Sequence, residues 1–196
     1  MLNWMRDPSK VGIPTIRTGL VDLCEWIINN CGLVEPDLSI MWMYELGSFA
    51  REAAEVFAKY FDAVHCVDPW DDPCGAPSLA EIESSFDERM KAAGNIVKHI
   101  GTASDIAPSV ADGSLDFVYI DSGPHTYEGN LREIREWWPK VRSGGFLGGH
   151  DWEIPELHAA DVFPGVEKSV TDFFGGIPHT YGLQIFPDTS WVVRKP

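Results

Sequence analysis

The chain has 196 residues, 44% apolar and 12% aromatic, so it is long enough for one packed domain and too hydrophobic for disordered or low-complexity protein. Its 15 Lys and Arg stand against 30 Asp and Glu, a formal net charge of −15 that excludes a general binder of nucleic acid or of anionic membrane surfaces. The four cysteines form no CxxC pair and are too sparse for a disulfide scaffold, so a closed zinc site has no support and free thiols in a reducing cytoplasm are expected.

Met1 to Pro8 combine no basic stretch with an apolar run, so no secretory leader is expected, and no later run is long enough to span a bilayer. The whole of 1–196 is expected to be one domain, with 1–17 as a loose lead-in containing Pro8 and Pro14. Thr18 is expected to cap a helix with apolar Leu20, Leu23, Cys24, Ile27 and Ile28, stopped near Gly32. Ile40–Leu46 reads as a buried strand, Glu52–Tyr60 as a helix and Ala63–Val67 as a second strand. Residues 69–78 read as a turn-rich loop, Leu79–Ala93 as an amphipathic helix with a solvated acidic face, and Ile96–Ile100 as a third strand. A short helix at Ile106–Val110 precedes a nearly all-apolar fourth strand, Leu115–Ile120. A helix over Tyr127–Val141, closed by Ser143, Gly144 and Gly145, leads to a fifth strand at Phe146–Gly149. A helix over Val166–Phe174 and a hairpin of Tyr181–Ile185 and Thr189–Val193 complete the chain.

Five alternations of strand and helix predict an α/β fold, a doubly wound, Rossmann-like, mostly parallel sheet of seven strands with an antiparallel C-terminal hairpin. Ligands of such sheets sit beyond the carboxyl ends of the strands. Gly47 follows the first strand, where a tight turn and close backbone approach suit glycine. Asp68 ends the second strand 21 residues later, placed to accept bonds from ribose hydroxyls. Each has an ordinary reading as a turn residue; together they are more specific. Gly101 to Asp105 form a small polar loop that suits a base edge or a helix cap. Asp121 and His125 follow the fourth strand, and His150 and Asp151 follow the fifth, so two carboxylates and two imidazoles are expected to converge. Of Trp137 and Trp138, one is expected in the core and the other is open to a contact between copies of the chain.

The segments ELGSFAREA, VDPW, HIGTAS, LDFVYIDSGPHTYE and GGFLGGHDW resemble class I S-adenosylmethionine-dependent methyltransferases of family 24, kin to macrocin-type sugar O-methyltransferases. The resemblance implies that Glu45, Gly47 and Ser48 hold the methionine part of S-adenosyl-L-methionine. It places Asp68 on the ribose, Pro69 and Trp70 on the adenosine side, and Thr102, Ala103 and Ser104 around adenine. It puts Asp121 beside the methyl donor and makes His125 the catalytic base. It aligns His150 and Asp151 with paired metal-ligand positions, giving Asp121, His150 and Asp151 as holders of Mg²⁺ or another divalent cation. Arg51 stands where the motif usually has its last glycine, and Asp121 and His125 are four residues apart where relatives commonly show three. The implied reaction is O-methylation of a small-molecule or sugar hydroxyl. A non-catalytic binding protein and a nicotinamide-dependent oxidoreductase are the alternatives, the second disfavoured because GxGxxG is absent.

Overall fold

The computed structural model describes residues 14–32, 41–49, 52–70, 79–91, 93–123, 125–152, 164–176 and 181–196. Helix α1 spans Pro14–Asn30, β1 Trp42–Leu46, α2 Glu52–Phe57, β2 Ala63–Asp68, α3 Leu79–Met90 and β3 Ile96–Ile100. The short α4 spans Ala103–Ile106, followed by β4 Leu115–Ile120, α5 Tyr127–Trp137, β5 Val141–Gly149, α6 Pro164–Phe173, β6 Gln184–Ile185 and β7 Trp191–Arg194. Residues 71–78 of the loop expected over 69–78, Arg51, and most of the segment between β5 and α6 lie outside the described residues.

The strands form one seven-stranded sheet in the order β3-β2-β1-β4-β5-β7-β6. β1 to β5 run parallel, while β7 is antiparallel to both β5 and β6. The chain moves outward from β1 to β3 and then returns to β4 on the other side of β1. That reversal opens a crevice at the carboxyl ends of β1 and β4, the place where such sheets bind ligands.

Two apolar layers flank the sheet. On one face Leu23, Ile27, Met43, Phe57, Phe117, Tyr119 and Phe146 pack together, with α1 and α2 over them. On the other, Leu46, Val118, Ile134, Trp137, Leu147, Val170 and Trp191 pack beneath α5 and α6. Trp138 meets Phe174 edge-on at 4.9 Å and Tyr181 at 5.8 Å, so its ring packs within the chain. On the acidic face of α3, Glu83 and Asp87 bind Lys98 of β3 at 2.6 and 2.9 Å.

Several element boundaries differ from expectation, and three of the differences have a plain physical reason. Helix α1 starts at Pro14, four residues before Thr18, because proline lacks only an N–H that the first turn leaves unbonded. The polar loop after β3 starts a helix earlier than read: Thr102 and Asp105 exchange side-chain and backbone bonds as a capping box, so α4 begins at Ala103. Helix α5 stops at Trp137, since Pro139 has no N–H to continue it, and a single tight turn at Trp138–Lys140 leads into β5. Ser143, Gly144 and Gly145 therefore lie inside β5, whose register against β4 shifts between Leu115 and Phe117.

Near the β3 edge, His65 Nδ1 and His99 Nε2 lie 2.8 Å apart, and Tyr44 stacks on both rings. Burial, then the neighbouring imidazole, pushes His65 down to about 4, and burial lowers His99. Lowered histidine values stabilise the fold fully above the ordinary value near 6.5, and that contribution is lost as pH falls through the folded value. Both rings are partly solvated, so the loss is discounted to on the order of 1 kcal/mol. His65→Phe should flatten the decline of melting temperature between pH 6.5 and 4; a decline as steep as that of the unaltered protein refutes the assignment.

Candidate active site

Backbone bonds carry the ladders one step past the strand ends and hold them in line. Gly47 N donates to Val67 O at 2.8 Å, Asp121 N to Leu46 O at 2.8 Å, Gly101 N to Asp68 O at 3.1 Å and His150 N to Ile120 O at 3.0 Å. Gly47 has φ +89°, and a Cβ there would lie 2.1 Å from Asp121 O. The turn after β1 thus rests against the backbone after β4, a contact only glycine allows.

Asp68 closes the other side of this turn. Its Oδ2 accepts from Phe49 N at 2.9 Å and its Oδ1 from Trp70 N at 2.7 Å. Trp70 Nε1 donates to Phe49 O at 3.2 Å, while its ring packs on Phe86 with the Lys98 ammonium over it. Pro69, between them, is half-buried. Glu45 is buried behind the turn and accepts from Cys66 Sγ at 3.3 Å; burial pushes its carboxyl up to about 7. Ser48 Oγ is buried beside it without a well-formed hydrogen bond. Beyond β3, the Thr102 hydroxyl is used in the capping box, Ala103 is buried, and Ser104 Oγ donates to Glu136 at 2.8 Å. These three residues stand at the adenine-loop position, but the hydroxyls of Thr102 and Ser104 are turned to protein partners.

The ends of β4 and β5 are adjacent, and the four polar residues meet there. Asp151 bridges two imidazoles: Oδ2 lies 3.0 Å from His125 Nδ1 and Oδ1 2.9 Å from His150 Nδ1. Asp121, His125 and Asp151 are the one group among the described residues able to ligate a metal, their donor atoms lying within 4.8 Å of one another. His150, expected as a ligand, is outside that group. Its Nδ1 is engaged by Asp151, and its Nε2 lies 3.4 Å from Thr189 Oγ1. His125 stands in its place, and the extra residue between Asp121 and His125 does not remove it from the site.

Burial pushes the Asp121 carboxyl well above the usual range; Asp151, Glu45 and Asp188 push the same way, and His150 opposes them. Burial works against a His150 imidazolium, but the bond to Asp151 and the charges of Asp121, Asp151 and Asp188 outweigh it and raise His150 to about 9. Burial lowers His125, with Asp151 opposing. Burial thus favours the neutral form of His125, while the surrounding carboxylates favour the protonated form of His150. Crowded carboxylates of this kind are relieved by a cation, so the donor set suits a divalent metal with oxygen preference. The cradle made by Gly47, the buried Ser48 hydroxyl and the Asp68 carboxylate suits a nucleoside-bearing cofactor.

A family model described as a methyltransferase domain, family 24, matches residues 40–152, more than half of the chain. The chain belongs to this methyltransferase family. No curated protein matches the sequence significantly. Among solved structures, CalS11, the TDP-rhamnose 3′-O-methyltransferase of calicheamicin biosynthesis, superposes with a TM-score of 0.59 at 14% identity, covering 96% of this chain and 80% of its own. An rRNA methylase from Streptococcus thermophilus gives 0.59 at 10% identity, covering 89% and 93%. The cofactor-bound Rv0187 protein from MTB gives 0.56 at 17% identity, covering 97% and 91%. The class I methyltransferase fold and dependence on S-adenosylmethionine follow from the family; no helix among the described residues of this methyltransferase is long and apolar enough to cross a membrane.

Sequence reading missed the buried polar groups that surround the site. Asp188 is expected in a hairpin turn and Thr189 and Ser190 in the strand after it; β7 begins only at Trp191, and all three residues are buried. Glu133 read as part of a charged helix, yet it is buried and accepts from Ser122 Oγ at 2.6 Å, while its Oε2 has no partner. Burial raises its carboxyl to about 7 from 4.5. A raised carboxyl stabilises the fold at low pH, and that contribution is lost as pH rises through 7. Glu133→Gln keeps an oxygen for Ser122 and removes the charge. The variant should exceed the parent by on the order of 2–3 kcal/mol at pH 8.5 and match it at pH 4. Urea titrations at the two pH values check this, and an equal difference at both would refute it.

Proposed function

We propose that this methyltransferase methylates a hydroxyl of a small molecule, a sugar hydroxyl foremost, with His125 as general base. The observation that carries the reading is the Asp151 carboxylate bonded to His125 Nδ1 beside Asp121. S-adenosylmethionine, when bound, supplies an electrophilic sulfonium methyl. Glu45, Gly47, Ser48 and Asp68, with Pro69, Trp70 and the 102–104 loop, are the residues assigned to hold it. Asp151 accepts the Nδ1–H of His125 and so fixes the tautomer with the lone pair on Nε2. His125, whose neutral form burial favours, would take the acceptor's proton at Nε2, and bound S-adenosylmethionine would supply the methyl to the acceptor oxygen with the thioether S-adenosylhomocysteine as leaving group. Likeness of fold to a sugar O-methyltransferase supports the acceptor class.

A second reading is favoured by the Asp121, His125 and Asp151 group: these three ligate a divalent cation, in place of the Asp121, His150 and Asp151 set that the family resemblance implies. Such a cation would lower the acceptor's pKa. Calorimetry should show binding of S-adenosylhomocysteine and none of NAD, and NAD binding alone would overturn the assignment. With a sugar acceptor in hand, His125→Ala should lower kcat by about 10²–10⁴-fold. Full activity after EDTA dialysis selects the metal-free base; loss restored by Mn²⁺ or Mg²⁺ selects the cation.

A further inference from the structure

The turn between β6 and β7 lies outside the residues matched by the family model, yet it grips the candidate site at His150. Gly149 pairs with Trp191, which brings the turn against the end of β5. Trp191 Nε1 donates to His150 O at 3.2 Å, and Trp152 N donates to Thr189 O at 2.9 Å. Thr189 Oγ1 lies 3.4 Å from His150 Nε2. Thr189 itself is buried, with φ +71°, a backbone conformation that a β-branched residue rarely adopts. The turn is anchored below: Ser190 N donates to Asp188 Oδ1 at 3.1 Å, Ser190 Oγ and Tyr119 Oη lie 2.8 Å apart, and Thr189 N donates to Phe186 O at 3.0 Å.

We infer that Thr189 is a positioning residue for the reaction, its hydroxyl holding His150 so that Asp151 presents its second oxygen to His125. The path is continuous: Thr189 Oγ1, the His150 ring, the two oxygens of Asp151, then His125 Nδ1. An imidazole bonded at one nitrogen only is free to rotate about χ2; a partner at each nitrogen fixes its plane and thereby the carboxylate it donates to. The inference rests on the reading of His125 as the base.

Thr189→Val keeps the β-branch and the backbone strain and removes only the hydroxyl; Thr189→Ser keeps the hydroxyl. The readout is the side-chain N–H resonances of His125 and His150 in ¹⁵N-labelled protein, which require no acceptor. Thr189→Val should shift both resonances, and Thr189→Ser should restore both. With an acceptor available, the valine variant should lose about 10–100-fold in kcat, with the KM for cofactor unchanged. A valine variant that shifts His150 alone, or shifts neither, overturns the inference, as does a serine variant that fails to restore them while melting like the parent. Should the valine variant not fold, His150→Gln serves: an unmoved His125 resonance there overturns the relay, and a shift supports it. S-adenosylhomocysteine binding by the unaltered protein is measured separately, so failure of the cofactor assignment is distinguishable from failure of this one.

Discussion

Gly47→Ala should be among the most damaging single-methyl changes at the described residues. The added carbon would lie 2.1 Å from Asp121 O, 2.6 Å from Asp121 C and 2.7 Å from Ser122 Cα, all backbone atoms unable to swing aside. The left-handed φ of +89° adds about 1–2 kcal/mol for any residue with a Cβ. Forcing two strand ends apart adds a further cost of about 1–3 kcal/mol, as overpacked cores do. The expected sum, roughly 2–5 kcal/mol, is a large part of a domain's total stability. Chemical denaturation measures it, and a loss below about 1 kcal/mol would mean that the turn after β1 does not rest on β4. Because the displaced atoms belong to Asp121 and Ser122, S-adenosylhomocysteine binding should fall with stability.

Asp68→Ala should weaken S-adenosylhomocysteine binding by roughly 10- to 150-fold, the equivalent of about 1.5–3 kcal/mol for charge-assisted bonds to ribose hydroxyls. The carboxylate also receives the N–H groups of Phe49 and Trp70, so the variant should lose stability even without ligand. The two effects separate by measurement. A lower melting temperature with unchanged affinity would reduce Asp68 to an anchor of the loop and remove it from the ribose. Asp68→Asn keeps an acceptor oxygen for one of the two N–H groups and should fall between the parent and the alanine variant in both readouts.

The strands were legible because each is a short, nearly continuous apolar run, the signature of a sheet covered on both faces; Leu115–Ile120 and Ile96–Ile100 match the expected bounds. Element ends were less legible where a helix and a strand compete for one segment. Past Trp137 the apolar spacing continues, but Pro139 ends the hydrogen bonding and Val141 joins the sheet. Of the site, the convergence of Asp121, His125, His150 and Asp151 could be read because strand ends gather in a known place. Which imidazole joins the two carboxylates could not. His150 lies between Asp151 and Thr189, the latter 39 residues beyond it and brought close by antiparallel pairing of β7 with β5. The burial of Glu133 was equally hidden, since its neighbours Arg132, Arg135 and Glu136 make the helix look uniformly wet.

The five non-glycine residues with positive φ among those described are Phe49, Trp70, His125, Asp151 and Thr189. None lies in the distant helices or at the far end of the sheet; all lie around the crevice, three of them in the chain of contacts from Thr189 to His125. Left-handed backbone at such residues costs on the order of 1–3 kcal/mol each, borne by the packed layers on either side. Selection for thermal endurance alone would therefore drift toward glycine or asparagine at these positions and erode the chemistry as it hardened the fold. Conversely, a copy of this chain retained only as a scaffold, released from catalysis, should show its first substitutions here, before any in the layers beneath.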